Sequence, residues 1–268
     1  MSSKNQAMSA VKAPPFDPAD FALRFETAAV KAGFRPELMG TVEGWPLKAF
    51  TKRTPGPRPR IYLSGGMHGD EPAPPLTLLS MVEDGLFDGR AVWFLCPMLN
   101  PTGLVRGVRE NSAGVDLNRD YRSLVSPEIR AHVGWLQRQP NFDVALSVHE
   151  DWESKGFYLY ELNPDSRPSL AETMIGAARE VCPIDLSPLI DGREAKGGIL
   201  RPVADPEARE LWPESIYLRA HHTRLAYTIE TPSSFPPKQR EEALRAALGA
   251  AIASLVSGWE PMAAAKSG

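Results

Sequence analysis

Cysteine is nearly missing from this chain: its 268 residues contain two, Cys96 and Cys182. Neither belongs to a CxxC pair, which excludes a thiolate zinc site and a disulfide-built scaffold. Cys96 sits in the apolar run WFLCP and Cys182 near the end of a helical pattern, so both are expected as buried thiols, with a single bridge between them as the alternative. Long apolar runs are missing too. The longest, near residues 246–256, is too short to span a bilayer. The opening MSSKNQAMSAVKAPPFDP has no apolar segment of the secretory kind, so a cytoplasmic location is expected. Thirty Lys and Arg stand against 33 Asp and Glu, net −3, and no basic block runs along the chain. Nucleic acid and membrane surfaces are therefore not expected partners. GxSxG, P-loop and GxGxxG patterns are all absent, which removes the serine hydrolase, NTPase and dinucleotide readings.

What is present fits one domain with a sizeable core: 43% of residues are hydrophobic and 24% charged. The 26 prolines are dispersed and punctuate loops. Residues 1–17 read as a loose leader and 18–268 as a single domain. Asp17-Pro18-Ala19-Asp20 opens a helix that Gly33 closes. Strands are expected over 42–51, 61–64, 91–97, 143–148, 157–162 and 225–229. Helices are expected over 74–83, 127–137, 169–181 and 238–256, the last with Leu244, Leu248, Ile252 and Leu255 at helical spacing. Residues 100–121 read as a long polar loop without structure of its own, and 182–213 as Pro/Gly-rich surface loops. Alternating strands and helices imply an α/β sandwich with a largely parallel sheet.

Such sheets place their sites at the carboxyl ends of strands. Three candidates stand there: His68 after the strand at 61–64, His149 after DVALSV, and Glu230 after LAYTI. His68 and Glu71, three apart in SGGMHGDEP, can give two ligands to one divalent metal. Gly65, Gly66 and Gly69 permit close backbone approach around them. His149 is the natural third ligand, since a catalytic zinc takes three protein ligands and keeps a position open. In the loop NPTGLVRGVRENSAGVDLNRDY, arginines suit a carboxylate or a developing oxyanion. Adjacent His221-His222 point in different directions and make a poor ligand pair. Glu150 is expected to face away from the metal or to line the pocket, and Asp70 to be a structural loop carboxylate.

The order HGDE at 68–71, NPTG at 100–103, REN at 109–111, GVDLNRD at 114–120, SVHE at 147–150 and TIET at 228–231 resembles the zinc carboxypeptidases of the carboxypeptidase A superfamily. The resemblance implies a three-layer sandwich with a mixed, largely parallel central sheet and helices on both faces. It implies one zinc per chain, held by His68, Glu71 and His149, the two-His, one-Glu set known for carboxypeptidase A. It implies Arg109 on the oxyanion, Asn118 and Arg119 on a free substrate carboxylate, Asp116 orienting His68, and Glu230 as general base.

The family's tyrosine before the catalytic Glu has no counterpart: Tyr217 lies too near Glu230 in sequence, and Trp212 cannot replace it. The short chain, and TPSSFP after Glu230, point to the bacterial murein-peptide amidase branch. HGDEPAP resembles the desuccinylase and aspartoacylase side. The expected substrate is a small peptide with a free carboxylate, such as a cell-wall peptide. An N-acyl amino acid is the alternative, and an inactive zinc-binding module is the reading from another class. Specificity is expected to lie within 182–217. Side-chain preference, oligomeric state and any second metal leave no mark in the sequence.

Overall fold

A computed structural model describes residues 16–202 and 205–259. The loose leader expected over 1–17 lies, as far as residue 15, outside the described residues. Asp17 caps α1 (Pro18–Lys31), its carboxylate accepting the amides of Ala19 and Asp20. β1 (Arg35–Val42) and β2 (Trp45–Lys52) follow as an antiparallel hairpin. Glu43 and Gly44 both take positive φ at its tip, as a two-residue hairpin turn needs. The strand expected over 42–51 is thus a turn plus the second arm. Glu43 is an unusual residue for that turn, which is why pattern reading merged them.

β3 (Arg60–Ser64), α2 (Ala73–Glu83), β4 (Val92–Cys96), α4 (Pro127–Leu136), β5 (Val144–Asp151), β6 (Tyr158–Leu162) and α5 (Ala171–Arg179) fall close to expectation. So do β10 (Ala226–Pro232) and α7 (Pro237–Gly258). Two stretches differ. Residues 100–121 contain α3 (Pro101–Arg106), capped by Asn100 and ended by left-handed Gly107, and a 3-10 turn at Leu117–Arg119. Residues 182–213 contain β7 (Leu189–Ile190), β8 (Arg193–Lys196) and β9 (Ile199–Leu200). These strands are two to four residues long, too short to show a period, and α6 (Glu214–His221) after them was not foreseen.

The ten strands among the described residues join one mixed sheet in the order β1-β2-β4-β3-β5-β10-β6-β9-β8-β7. Its centre, β4-β3-β5-β10, is parallel, and antiparallel pairs dominate toward both edges. Strand periodicity sends alternate residues to opposite faces. Ile61, Leu63, Leu146, Val148 and Ile229 pack under α1, α2, α5 and α7. Tyr62, Ala145 and Ala226 pack on the other side under α4 and α6. The result is three layers with helices on both faces. Cys96 and Cys182 are both free and lie in cores on opposite faces, so no bridge can join them. Among the described residues, no helix is long and apolar enough to cross a membrane.

Two local arrangements tie the loops to this frame. A Cβ on Gly69 would lie 1.9 Å from the carbonyl carbon of Gly103, so only glycine lets the loop after β3 cross the start of α3. Beneath the second face, Glu214 at the start of α6 is buried and fully used. Its Oε1 accepts the Tyr62 hydroxyl at 2.6 Å; its Oε2 accepts Ser64 and Ser147 at 2.6 and 2.7 Å. Its backbone N–H donates to Asn118 Oδ1 at 2.9 Å. Because the Tyr62 proton goes to Glu214, its oxygen accepts from His132 Nε2 at 2.9 Å, and Tyr121 donates to His132 Nδ1 at 2.7 Å. This polar chain closes without a missing partner and clamps α4 and α6 to the sheet.

Gly69→Ala is expected to cost at least about 2 kcal/mol in denaturant unfolding, the scale of overpacking; a loss within a few tenths would mean the loop crossing has slack. The second expectation concerns pH. Burial pushes His132 down from 6.5 to about 4, so the unfolded chain takes up the proton first. The contribution is whole above 6.5 and is lost as pH falls toward about 4, roughly 3 kcal/mol in all. Stability measured across that window should fall less steeply in His132→Gln than in the wild type; parallel curves would remove His132 as the cause.

Candidate metal centre and active site

β3 ends at Ser64, and the chain turns through Gly65 and Gly66, the latter at φ 63°. A Cβ on Gly66 would press on the backbone of residues 97–98 at 3.2 Å. This tight exit aims His68 and Glu71 back over the carboxyl end of the sheet. His149 comes from β5, which runs on to Asp151, so it stands within the strand rather than beyond it. Both imidazoles turn Nδ1 toward Glu71: His68 Nδ1 lies 2.5 Å from Oε1 and His149 Nδ1 3.0 Å from Oε2. One ligand atom from each residue falls within 4.8 Å of the others, and all three residues are buried.

This donor set fits a zinc ion: two imidazole nitrogens and one carboxylate converge, which is the catalytic rather than the closed structural pattern. The protonation pattern agrees. Burial opposes a charge on His68, but Glu71 and the hydrogen bonds of Asp116 and Glu71 outweigh it and hold His68 up at about 9. Burial would raise Glu71, yet His68 and His149 hold it far below the usual carboxylate range. The cluster draws positive charge into its centre, as a metal site must. The far nitrogen of His68, Nε2, sits 3.3 Å from Asp116 Oδ1, where a carboxylate orients a liganding imidazole.

Asp116 is shared. Its Oδ2 accepts Arg109 Nε at 3.0 Å, and the Arg109 Nη1 reaches within 3.2 Å of His68 Nδ1 and 3.7 Å of Glu71 Oε1. Arg109 is thereby held over the ligand set with part of its guanidinium facing the cleft. Asn118 Oδ1 accepts the Glu214 backbone N–H, which leaves its Nδ2 as the donor for the cleft. Arg119 donates to the Asn118 carbonyl at 2.8 Å.

Glu230 follows from register. β10 runs parallel to β5 with Glu230 beside His149, and both side chains leave the same face. Burial pushes Glu230 up to about 8; His149 opposes, while Glu71 and Asp151 add to the rise. A carboxyl poised near neutrality beside a metal site suits general-base work. His68, Glu71, Arg109, Asn118, Arg119 and Glu230 all line one cleft of about 520 Å³.

Of the remaining candidates, Glu150 touches the cleft lining but is engaged behind it, and Asp70 and Tyr217 lie outside the cleft. Glu150 leaves β5 on the opposite face, where it accepts the Ala73 amide at 2.6 Å and pairs with Arg240; its backbone neighbourhood ties the His149 strand to the start of α2. Asp70 is exposed at the loop. Tyr217 packs at a tilt against Tyr121, His221 and His222 at the second core and is not among the residues lining the cleft.

Sequence reasoning missed four cleft residues. Tyr158 pairs with Glu230 across β6–β10, and Tyr160 pairs with Thr228, so both tyrosines share Glu230's face. Their hydroxyls donate to Asp151 and Asp191 at 2.9 and 2.8 Å. The alternation in YLYEL carried that signal. Arg193 and Arg209 come from residues 182–213 and join Arg119 on one wall. Burial, then Arg193 and Arg119, pull Arg209 below the ordinary arginine value. No local pattern announced that convergence.

A family model described as the succinylglutamate desuccinylase/aspartoacylase catalytic domain matches residues 57–166. No curated protein matches. Among solved structures, two Shewanella proteins provisionally named metallopeptidases are similar along most of the chain. The S. amazonensis protein has 25% identity and a TM-score of 0.78, over 89% of this chain and 93% of its own. That of S. baltica has 25% identity and a TM-score of 0.76, over 90% and 92%. A Burkholderia cenocepacia metallo-carboxypeptidase shares the fold at 22% identity and a TM-score of 0.70, over 91% of this chain and 70% of that one. Together with the buried His68-Glu71-His149 group, these similarities support a zinc carboxypeptidase-like superfamily, and the fold is the one its members share.

Proposed function

We propose that the protein hydrolyses the amide bond next to a free carboxylate of a small peptide, with His68, Glu71 and His149 holding one zinc ion. The observation that supports this best is the company Glu230 keeps: in register beside His149, and in one cleft with Arg109, Asn118 and Arg119. When bound, zinc would supply Lewis acidity toward a carbonyl and acidify water toward ~7.

The chain's own residues do the rest. Asn118 Nδ2 and the Arg119 guanidinium bind the carboxylate of the substrate and so set which amide lies near Glu230. Arg109, braced by Asp116, offers a fixed positive charge where an oxyanion develops. Glu230 takes a proton from the attacking water and delivers it to the leaving nitrogen, so no net proton is left on the enzyme. Tyr158 and Tyr160 border the path of that proton and limit solvent on the β6 side.

A second reading, an N-acyl amino acid deacylase, is supported by the match to the desuccinylase/aspartoacylase model and by the wall of Arg119, Arg193 and Arg209, which suits an acidic substrate. The same machinery serves either reaction. An inactive zinc-binding module is disfavoured, because Glu230 and Arg109 add chemistry that metal binding does not need.

Three outcomes are expected. Purified protein should hold about one zinc per chain by metal analysis, and His149→Ala should lose most of it. A wild type that takes up no metal on addition would refute the hydrolase reading. Glu230→Gln should keep its metal and lose about 10²–10⁴-fold in kcat; full activity would remove Glu230 as the base. A peptide with a free C-terminus should be cut much faster than its amidated twin at matched concentration, and an N-acyl amino acid added to the same panel decides between the two reactions. Equal rates on the two peptides would deny Asn118 and Arg119 the carboxylate role.

A further inference from the structure

The metal centre occupies the carboxyl ends of the central strands. At their amino ends a second cavity opens, of about 1040 Å³, walled by Arg60 of β3, Val92 of β4 and the segments leading into β5 and β10. Seven arginines line it, against a single carboxylate, Asp143. Some of these arginines are neutralised from outside the cavity. Arg138 pairs with Glu37 at 3.0 Å, Arg224 with Asp165 at 2.8 Å, and Arg219 with Glu207.

Arg53, Arg58 and Arg60 are different. None has a carboxylate within ion-pair distance among the described residues. Arg53 lies over the Phe94 ring at 6.0 Å, and the Arg58 and Arg60 guanidiniums reach only backbone carbonyls, of Pro57 and Asn141. Set against Asp143, these three alone give an excess of about two positive charges.

A second observation is independent of charge. His222 is only 6% exposed and lines this cavity, yet neither ring nitrogen has a hydrogen-bond partner among the described residues. Its ring packs flat on Phe142, with centroids 5.6 Å apart. Burial, then His221, push it down to about 4, so at neutral pH it is an imidazole with one N–H and one lone pair unspent. A buried polar group left this way carries an uncompensated desolvation cost. A metal is a poor remedy beside so many arginines. An anion with several oxygens suits both features: guanidinium forks match phosphate bidentately, and the imidazole N–H is a further unspent donor in the same wall. The cavity is roomy for a single phosphate, and Trp259 and His221 add ring surface at its wall.

We propose that this cavity is a second ligand site, separate from the catalytic cleft, that takes a small polyphosphate anion such as a nucleoside di- or triphosphate. The site depends on no assumption about the reaction at the other end of the sheet. The test is calorimetric titration of the zinc-loaded protein with pyrophosphate, ATP and adenosine at about 0.15 M salt. Pyrophosphate and ATP should bind and weaken as salt rises, and adenosine alone should not. In Arg53→Gln/Arg58→Gln, Kd should rise about tenfold or more, while hydrolysis without added phosphate stays unchanged. In His222→Phe, which keeps the stack on Phe142, affinity should also fall, and in the wild type the His222 ring signals should shift on adding pyrophosphate. Absence of pyrophosphate and ATP binding would overturn the proposal, as would adenosine binding as tightly as ATP. An unchanged Kd in the double variant would place the anion in the catalytic cleft and overturn it equally.

Discussion

One carboxylate holds the active end of the molecule together. Glu71 gives one oxygen to His68 and the other to His149, and so joins a loop after β3 to the inside of β5. Burying a carboxylate and two imidazoles would be unfavourable if they stood apart. Joined, the carboxylate and the two imidazoles partner one another, and their ligand atoms converge as a cation site requires. The glycines at 65, 66 and 69, the Asp116–Arg109 brace and the Glu150–Arg240 pair behind β5 can all be read as parts that keep this group in position.

Around it, the two faces of the sheet divide the labour. His149 and Glu230 leave neighbouring strands on one face, where Glu214 and its hydroxyl partners hold α6 and Asn118 in place. Glu150 and Thr231 leave on the other face, and Glu150 is spent on structure. Adjacent residues in one strand therefore meet different partners: His149 joins His68 and Glu71, and Glu150 pairs with Arg240.

Much of this was legible beforehand where the signal was local. The HxxE pair, His149 and Glu230 near the carboxyl ends of apolar strands, and the long helix at 237–258 could be read from spacing and periodicity, whereas GVDLNRD drew its meaning from the resemblance. The helix within 100–121 leaves little mark in the sequence, because α3 is six residues long and its cap, Asn100, looks like any loop asparagine. Residues 182–213 were opaque for a similar reason. Strands of two to four residues carry no period, and β7–β9 exist only because β6 offers them an edge.

The sequence by itself determined which residues can do chemistry and in what order they come. Residue type and spacing settle that, since a ligand set needs imidazole and carboxylate and a general base needs a titratable group. Only the tertiary structure decided which of these groups meet. The register of β10 on β5 put Glu230 beside His149. The face alternation of β6 brought Tyr158 and Tyr160 to the cleft. Arginines that form no block along the chain were gathered into one wall of the cleft and, separately, around His222 at the far end of the sheet. Charge along a sequence is one-dimensional, whereas the field at a site sums over neighbours in space, and those neighbours come from segments as distant as Arg53 and Arg224.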